Sequence, residues 1–434
     1  MKTPRLFTPL ATMHRLSSLV GAALLATSLG AMADTQVNVW HTLDDQNAQA
    51  LQKLAKQFSK RTPDVRVTLK QFTDPEALDT QLNDVSDDKD RPHLVQLEEA
   101  YVPDAVEGRS YLMPLHVLMA QQGIQDIDWF LPASNTAARD NQGRLQAFPF
   151  MLEIPVMFYN TQRFRKAEIQ PAKPSRDWAK LQSQMAQVAN NGTRHCPITS
   201  DLPVSINLEN LAAVNKQPFV SQGQGAPLFK FDSLYIRHLS LMISWVRTEL
   251  MVRPDFDDAA AQRFADGECA ALLSGSSRLG RFDANRALRF GISGIPYYPE
   301  VTQEPGLPFV AGSSLWATKG HAGEDDAATA AFLSWLAESP QALDWYETTG
   351  FLPLTKQAFA EAQEREKVAS QWLELVAPYA DEPVATARGF QIRNYPRIRA
   401  LFKQTLGRAL SGDQPAVPAL KQASEEAGRL EAGQ

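Results

Sequence analysis

The sequence predicts an α/β protein of two domains, each a mostly parallel sheet flanked by helices. Three observations carry that expectation. Early in the chain, short apolar strands alternate with amphipathic helices, the pattern of βαβ units. At 434 residues the chain is too long for a single ordinary core. A passage from Met151 to Pro155 separates two strand-like runs and reads as a crossing between domains.

The elements follow in order. Gln36 to Trp40 alternates, with Val37 and Val39 on one face, as a strand does. Asn47 to Phe58 puts Leu51, Leu54 and Phe58 at helical spacing and stops before Thr62-Pro63. Val65 to Leu69 and Leu94 to Leu97 are strands, the second entering Glu98-Glu99. Leu145 to Phe150 and Val156 to Tyr159 flank the crossing. Amphipathic helices are predicted at 177–190 and 233–251. Ala270 to Leu273 is a strand ending in Ser274-Gly275-Ser276-Ser277, and Phe290 to Ile295 is another, before a linker-like Pro296-Tyr297-Tyr298-Pro299. Helices are predicted at 325–338, 340–348 and 395–410, and a charged helix closes the chain. A second crossing is placed near 296–300 and a third near 351–356.

Residues 1–33 read as a secretion signal. Lys2, Arg5 and Arg15 make a positive lead, Leu16 to Leu29 is an apolar, small-residue run, and Ala31-Met32-Ala33 is a small-x-small cleavage site before Asp34. The run is shorter than the roughly 20 residues of a membrane span, so cleavage after Ala33 is expected rather than anchoring. The chain carries 43 basic and 49 acidic residues, and the leader removes three of the basic ones. That balance excludes nucleic acid and an anionic membrane surface as partners. Cys196 and Cys269 are the two cysteines. In an oxidising compartment such a pair most simply makes one disulfide; two separate buried thiols are the other arrangement.

Phe309 to Gly320, FVAGSSLWATKG, is the segment best suited to a ligand wall. It reads as strand, tight passage, strand. Gly312 lacks a Cβ, so a ligand can approach the backbone. Ser313 and Ser314 add short donors and acceptors, and Trp316 an apolar face with one donor. The other reading is a strand bulge beside a core tryptophan. Trp178, Trp245, Trp335 and Trp345 fall on apolar faces and are read as core.

No catalytic constellation is present in the sequence: no G-x-S-x-G elbow, P-loop, H-E-x-x-H or C-x-x-C. No metal site and no cofactor is expected. His41, after Trp40, either touches a ligand or serves the strand end. Glu99 and Glu153 follow a strand or sit at the crossing, where α/β folds place ligand groups. Such a pair serves glycoside hydrolysis only if it flanks one bond; otherwise it binds hydroxyls or is solvated.

These segments together resemble the large extracellular solute-binding proteins of ABC importers, and within them the subgroup that takes sn-glycerol 3-phosphate. The resemblance runs over essentially the whole chain after the leader. It is carried by Val39-Trp40-His41-Thr42, Leu94-Val95-Gln96 leading to Glu99, Pro149-Phe150 with Pro155-Val156 and Tyr159-Asn160, and Asp177-Trp178. It continues through Gly267-Glu268-Cys269-Ala270, Gly312 to Trp316, Thr349 to Thr355, and Tyr395-Pro396-Arg397-Ile398-Arg399. Cys196 also falls on a cysteine of that subgroup. The resemblance implies the two-lobed periplasmic-binding-protein fold, with the ligand in the cleft between lobes and hinge closure upon it. The lobes are then 34–150 plus 301–352 and 153–298 plus 356–434.

Carried over by position, Glu99 matches the acidic group for glycerol hydroxyls and Gly312 the backbone donor. Gly275 stands where the subgroup has a serine, flanked by Ser274 and Ser276. Pro75 and Phe351 replace tyrosines, Glu153 replaces a serine, and Gln391 replaces the arginine for phosphate. Arg393, two residues along an extended segment, shares the face of Gln391. With Arg278 it is a candidate donor, or a solvated surface arginine. The expected ligand set is Trp40, His41, Glu99, Glu153, Ser274, Gly275, Ser276, Gly312, Ser313, Phe351, Gln391 and Arg393. The implied function is that of a monomeric periplasmic binding protein, not an enzyme. It delivers a glycerol-3-phosphate-like or glycerophosphodiester solute to ABC permease transmembrane subunits. A neutral sugar or polyol is the alternative solute, and an exported carbohydrate-active enzyme a more distant reading.

Overall fold

The computed structural model describes residues 35–98, 108–124, 129–131, 139–140, 142–221, 228–254, 258–365, 370–380, 390 and 392–433. The leader, Glu99 and Gln391 lie outside the described residues.

Ten described strands form two sheets. The first contains β1 (Thr35–His41), β2 (Val65–Gln71), β3 (Leu94–Glu98), β4 (Leu112–Met113), β5 (Phe148–Glu153) and β10 (Ala311–Thr318), in the order β2-β1-β3-β10-β4, with β5 also paired to β10. The second contains β6 (Pro155–Asn160), β7 (Ile198–Ser200), β8 (Ala271–Gly275) and β9 (Phe290–Gly294), in the order β7-β8-β6-β9. The α/β class and the two-lobed architecture hold.

The sheets are mixed rather than mostly parallel, and the reason is topological. In the first sheet β1, β2 and β3 run parallel, and β10 alone runs against its partners β3, β4 and β5. In the second, β7 and β8 are parallel, and β6 alone runs against β8 and β9. Each reversed strand is the one that arrives from the other lobe. It enters where its neighbours end, so its direction is opposite to theirs. Local residue pattern carries no information about that.

The first helix, Asp45–Arg61, shows how local chemistry sets an element. Asp44 caps it by accepting from the Asn47 amide, and Leu51, Leu54, Ala55 and Phe58 are buried along one stripe. Phe58 packs on Phe332 and Trp335. Each such buried side chain stabilises the fold by roughly 1.5–3 kcal/mol. The helix Tyr395–Leu410 spans the residues its periodicity predicts. The helix predicted over 233–251 stops at Arg247, because Glu249 adopts a left-handed φ of 58°.

Three further expectations change. The crossing is a single residue, Ile154, because β5 runs on to Glu153 and β6 begins at Pro155. Continuing both strands keeps the buried backbone groups of the crossing paired. Within Phe309 to Gly320 there is a single strand, Ala311–Thr318, with a register shift between Ser313 and Leu315, and Trp316 is core, buried beside Leu78, Val95 and Leu97. Pro296–Pro299 is no loose linker: Tyr298 is buried, and its hydroxyl lies 3.0 Å from Nδ1 of His238. Trp178, Trp245, Trp335 and Trp345 are core, as read.

Cys196 and Cys269 are bridged across a separation of 73 residues, beside the starts of β7 and β8. Closing a loop of that length restricts the unfolded chain by about 4 kcal/mol in the entropy model.

Candidate functional site

The two sheets meet at the ends of their strands. On the first sheet, β3 and β5 end where β10 begins, with Ala311 opposite Glu153 and Ser313 opposite Glu98. A polar chain crosses this edge: the Thr42 amide donates to Oε1 of Gln96, whose Nε2 donates to Oγ of Ser313 at 3.0 Å. Gly312 has a φ of +100°, and a Cβ there would lie 2.2 Å from the Met151 carbonyl oxygen. Only glycine lets β10 pass so close to β5 at this point. His41 ends β1. It is buried, its Nδ1 has no hydrogen-bond partner, and burial pushes its pKa down to about 4, so it is neutral at pH 7.

The second sheet's edge is charged. A Cβ on Gly275 would lie 2.2 Å from Oε2 of Glu153, so the missing side chain makes room for that carboxylate. The Ser277 amide donates to the same oxygen at 3.1 Å. Burial raises the Glu153 pKa, and the Ser277 contact and the nearby Arg278 oppose the rise. Ser276 is held by reciprocal bonds with Ile154, its amide donating to the Ile154 carbonyl and its hydroxyl accepting from the Ile154 amide. Ser274 donates through Oγ to Oδ2 of Asp201 at 2.9 Å. Asp201 is buried and its pKa is raised to about 6, chiefly by desolvation, with Arg278 and Ser274 pulling the other way.

Arg278 joins these groups. It reaches Asp44 at 3.1 Å, Asp258 at 2.9 Å and Asp201 at 3.6 Å. Desolvation works against its charge, but the four carboxylates Asp201, Asp258, Asp44 and Glu153 outweigh it and raise its pKa. Asp44 precedes the first helix of the first lobe, so the Arg278 pair bridges the lobes. Asn47 adds a second tie, donating to the Ser277 carbonyl at 3.1 Å. A separate bridge starts at Glu98, the last residue of β3. Arg399 lies 3.4 Å from Glu98 and 3.2 Å from Glu209. The Tyr395 hydroxyl also donates to Glu209.

Of the residues singled out from sequence, Glu153, Ser274, Gly275, Ser276, Gly312 and Ser313 come together at these strand ends. His41 closes β1 on the same side. Trp40 is half-buried against Phe72 with the Lys70 ammonium over its ring. Phe351 is buried, stacked on Trp345. Arg393 is exposed just before the helix Tyr395–Leu410. Pro75 opens the helix Pro75–Asn83. Glu99 and Gln391 are outside the described residues. Sequence reading missed Asp44, Glu98, Asp201, Glu209 and Arg399 as members of the site. Two of them carried a signal: Asp44 stands at a helix start, and Glu98 ends a strand.

Two lobes with polar and charged groups gathered where their sheets meet define a binding protein for a small solute. The family comparison makes this specific. The chain belongs to the bacterial extracellular solute-binding proteins, whose family model matches residues 53–372. It is the type that serves ABC importers. It is 25% identical over 426 residues to the sn-glycerol-3-phosphate-binding periplasmic protein UgpB of Escherichia coli O1:K1, covering 95% of each chain. Among solved structures it is similar to UgpB from Mycobacterium tuberculosis in complex with glycerophosphocholine, with a TM-score of 0.75, 17% identity and coverage of 90% and 97%. It is also similar to maltose-bound MalE3 of T. maritima, with a TM-score of 0.76, 15% identity and coverage of 91% and 99%. At these identities the structures show a shared fold. Among the described residues, no helix is long and apolar enough to cross a membrane.

Proposed function

We propose that this chain is exported by cleavage after Ala33 and acts in the periplasm as a monomeric solute-binding subunit. It captures a glycerol-phosphate-type solute by hinge closure and hands it, chemically unchanged, to the transmembrane subunits of an ABC permease. The observation that carries this reading is the convergence of Glu153, Gly275 and Gly312 beside the Ile154 crossing. There the Glu153 carboxylate, which can accept from hydroxyls, lies against the bare Gly275 backbone, and Gly312 lets β10 run close beside β5. We keep the lobes as read from the sequence except at the return crossing, which we take as 309–311 rather than 296–300, since the amides of Gly306 and Phe309 bond to Val214 and Asn210 beside the second sheet. His41, Ser274, Ser276 and Ser313 line the site with them, and Trp40, Glu99, Phe351, Gln391 and Arg393 complete the expected ligand set. Contacts from both lobes are made together only in the closed form, so the solute favours closure.

A second reading has its own support. Glu153 stands where the subgroup has serine, and a carboxylate there suits a neutral sugar or polyol better than a phosphate dianion. A thermal-shift panel of glycerol 3-phosphate, glycerophosphodiesters, glycerol and mono- and disaccharides separates the two, because binding to the native state alone raises stability by RT ln(1 + [L]/Kd). Stabilisation by glycerophosphate compounds and by no sugar is the expected result. Stabilisation by sugars alone moves the conclusion to the second reading, and turnover of a glycoside, lost in Glu153→Gln, overturns both.

A further inference from the structure

We propose that Arg399 receives the anionic oxygen of the solute, and that Glu98 and Glu209 beside it select a phosphodiester monoanion over a phosphomonoester dianion. This rests on the glycerophosphate reading above and names the class of ester within it.

The geometry divides the guanidinium into two halves. Nε of Arg399 lies 3.2 Å from Oε1 of Glu209, a buried carboxylate that also accepts from the Tyr395 hydroxyl. That half is anchored within the second lobe. Nη1 reaches Oε2 of Glu98 at 3.4 Å, a long contact between side chains each 27% exposed. Glu98 is the last residue of β3, opposite Ser313, and so stands at the strand ends where the site lies. A long, partly solvated ion pair is weak and exchangeable. A phosphate oxygen that replaces Glu98 on Nη1 gains a charge-assisted bond to a planar donor that Glu209 already orients.

Arg278, which also bridges the lobes, is not available for this exchange. Its contacts to Asp44 and Asp258 are 3.1 and 2.9 Å, and its charge is held by four carboxylates. Two of the groups that Arg399 meets, Glu98 and Glu209, are carboxylates. A diester brings one charge to that setting; a monoester near pH 8 brings two, and its repulsion from Glu98 and Glu209 is correspondingly larger.

The test is calorimetric titration of the leader-free chain at pH 8 with glycerophosphoglycerol, a monoanion, and glycerol 3-phosphate, a dianion. The wild type is expected to bind the diester about tenfold or more tighter. Arg399→Met is expected to lose about tenfold or more in diester affinity, with part restored by Arg399→Lys. Glu98→Gln, a partly exposed isostere that preserves folding even if Arg399→Met does not, is expected to narrow the gap between the esters. Equal diester binding by Arg399→Met, or a gap unchanged in Glu98→Gln, overturns the proposal while leaving the glycerophosphate reading intact. A wild type that binds neither ester overturns that reading instead, and does so before any variant is made.

Discussion

Arg278 and Arg399, both described residues, each tie the lobes, and they do the same thing in different surroundings. Arg278 sits among Asp44, Asp201, Asp258 and Glu153, with its side chain 21% exposed. Arg399 has Glu98 and Glu209, and its reach to Glu98 is longer. Arg278 compensates Asp201 and Glu153, carboxylates that the fold has already removed from water, so its loss strands them. Arg399 spans a contact that solvent already enters on one side. The same side chain is thus part of the frame at one place and adjustable at the other: Arg278 answers two buried carboxylates, Asp201 and Glu153, and Arg399 answers one, Glu209.

The largest expected effect is at the first. Arg278→Met leaves Asp201 and Glu153 in a partly desolvated setting without their cation, and breaking such a buried pair costs about 3–5 kcal/mol. Urea unfolding at pH 7.5 measures it, and a loss under about 1 kcal/mol would erase the distinction between the two arginines. The deficit has a pH signature. The folded-state pKa of Asp201 is raised to about 6, above its ordinary 3.8, so this group adds stability as pH falls from 6 toward 4 and loses it as pH rises through 6. The Arg278→Met deficit is therefore expected to shrink at pH 5. A deficit constant with pH would mean that something other than an uncompensated carboxylate is responsible.

Arg399→Met is expected to cost less, about 1–2 kcal/mol, because Tyr395 still supplies Glu209 with one donor and Glu98 is free to turn to water. The same unfolding measurement ranks it against Arg278→Met. An equal or larger loss would place Arg399 in the frame as well and weaken its role in recognition.

What was legible in the sequence follows the same division between local and assembled features. The helices at Asp45–Arg61 and Tyr395–Leu410 were readable because their apolar residues repeat at the helical period. Gly312 was readable because a strand interior rarely tolerates glycine without a reason. The reversed directions of β6 and β10 were not readable, since they depend on which lobe the chain comes from. Neither was the Arg278 cluster. Its acids come from a helix cap, the end of β5, the residue after a three-residue strand, and the start of the helix Ala259–Ala265. None of those positions has a periodicity that marks it. Tyr298 escaped notice because flanking prolines suggest a linker, whereas its ring found a buried place beside His238.

The smallest expected effect tests whether burial, rather than distance, separates the two arginines. Lys53 pairs with Asp344 at 2.8 Å, shorter than the Arg278–Asp44 contact of 3.1 Å, and it also joins distant parts of the chain. Its side chain is 53% exposed, and that of Asp344 33%. Water and salt screen such a pair, and ordering two long side chains offsets the remainder, so Lys53→Met is expected to change stability by at most about 0.5 kcal/mol. If Lys53→Met instead approached the loss seen for Arg278→Met in the same urea titration, contact distance would be the controlling variable. The contrast between the two arginines would then need another cause.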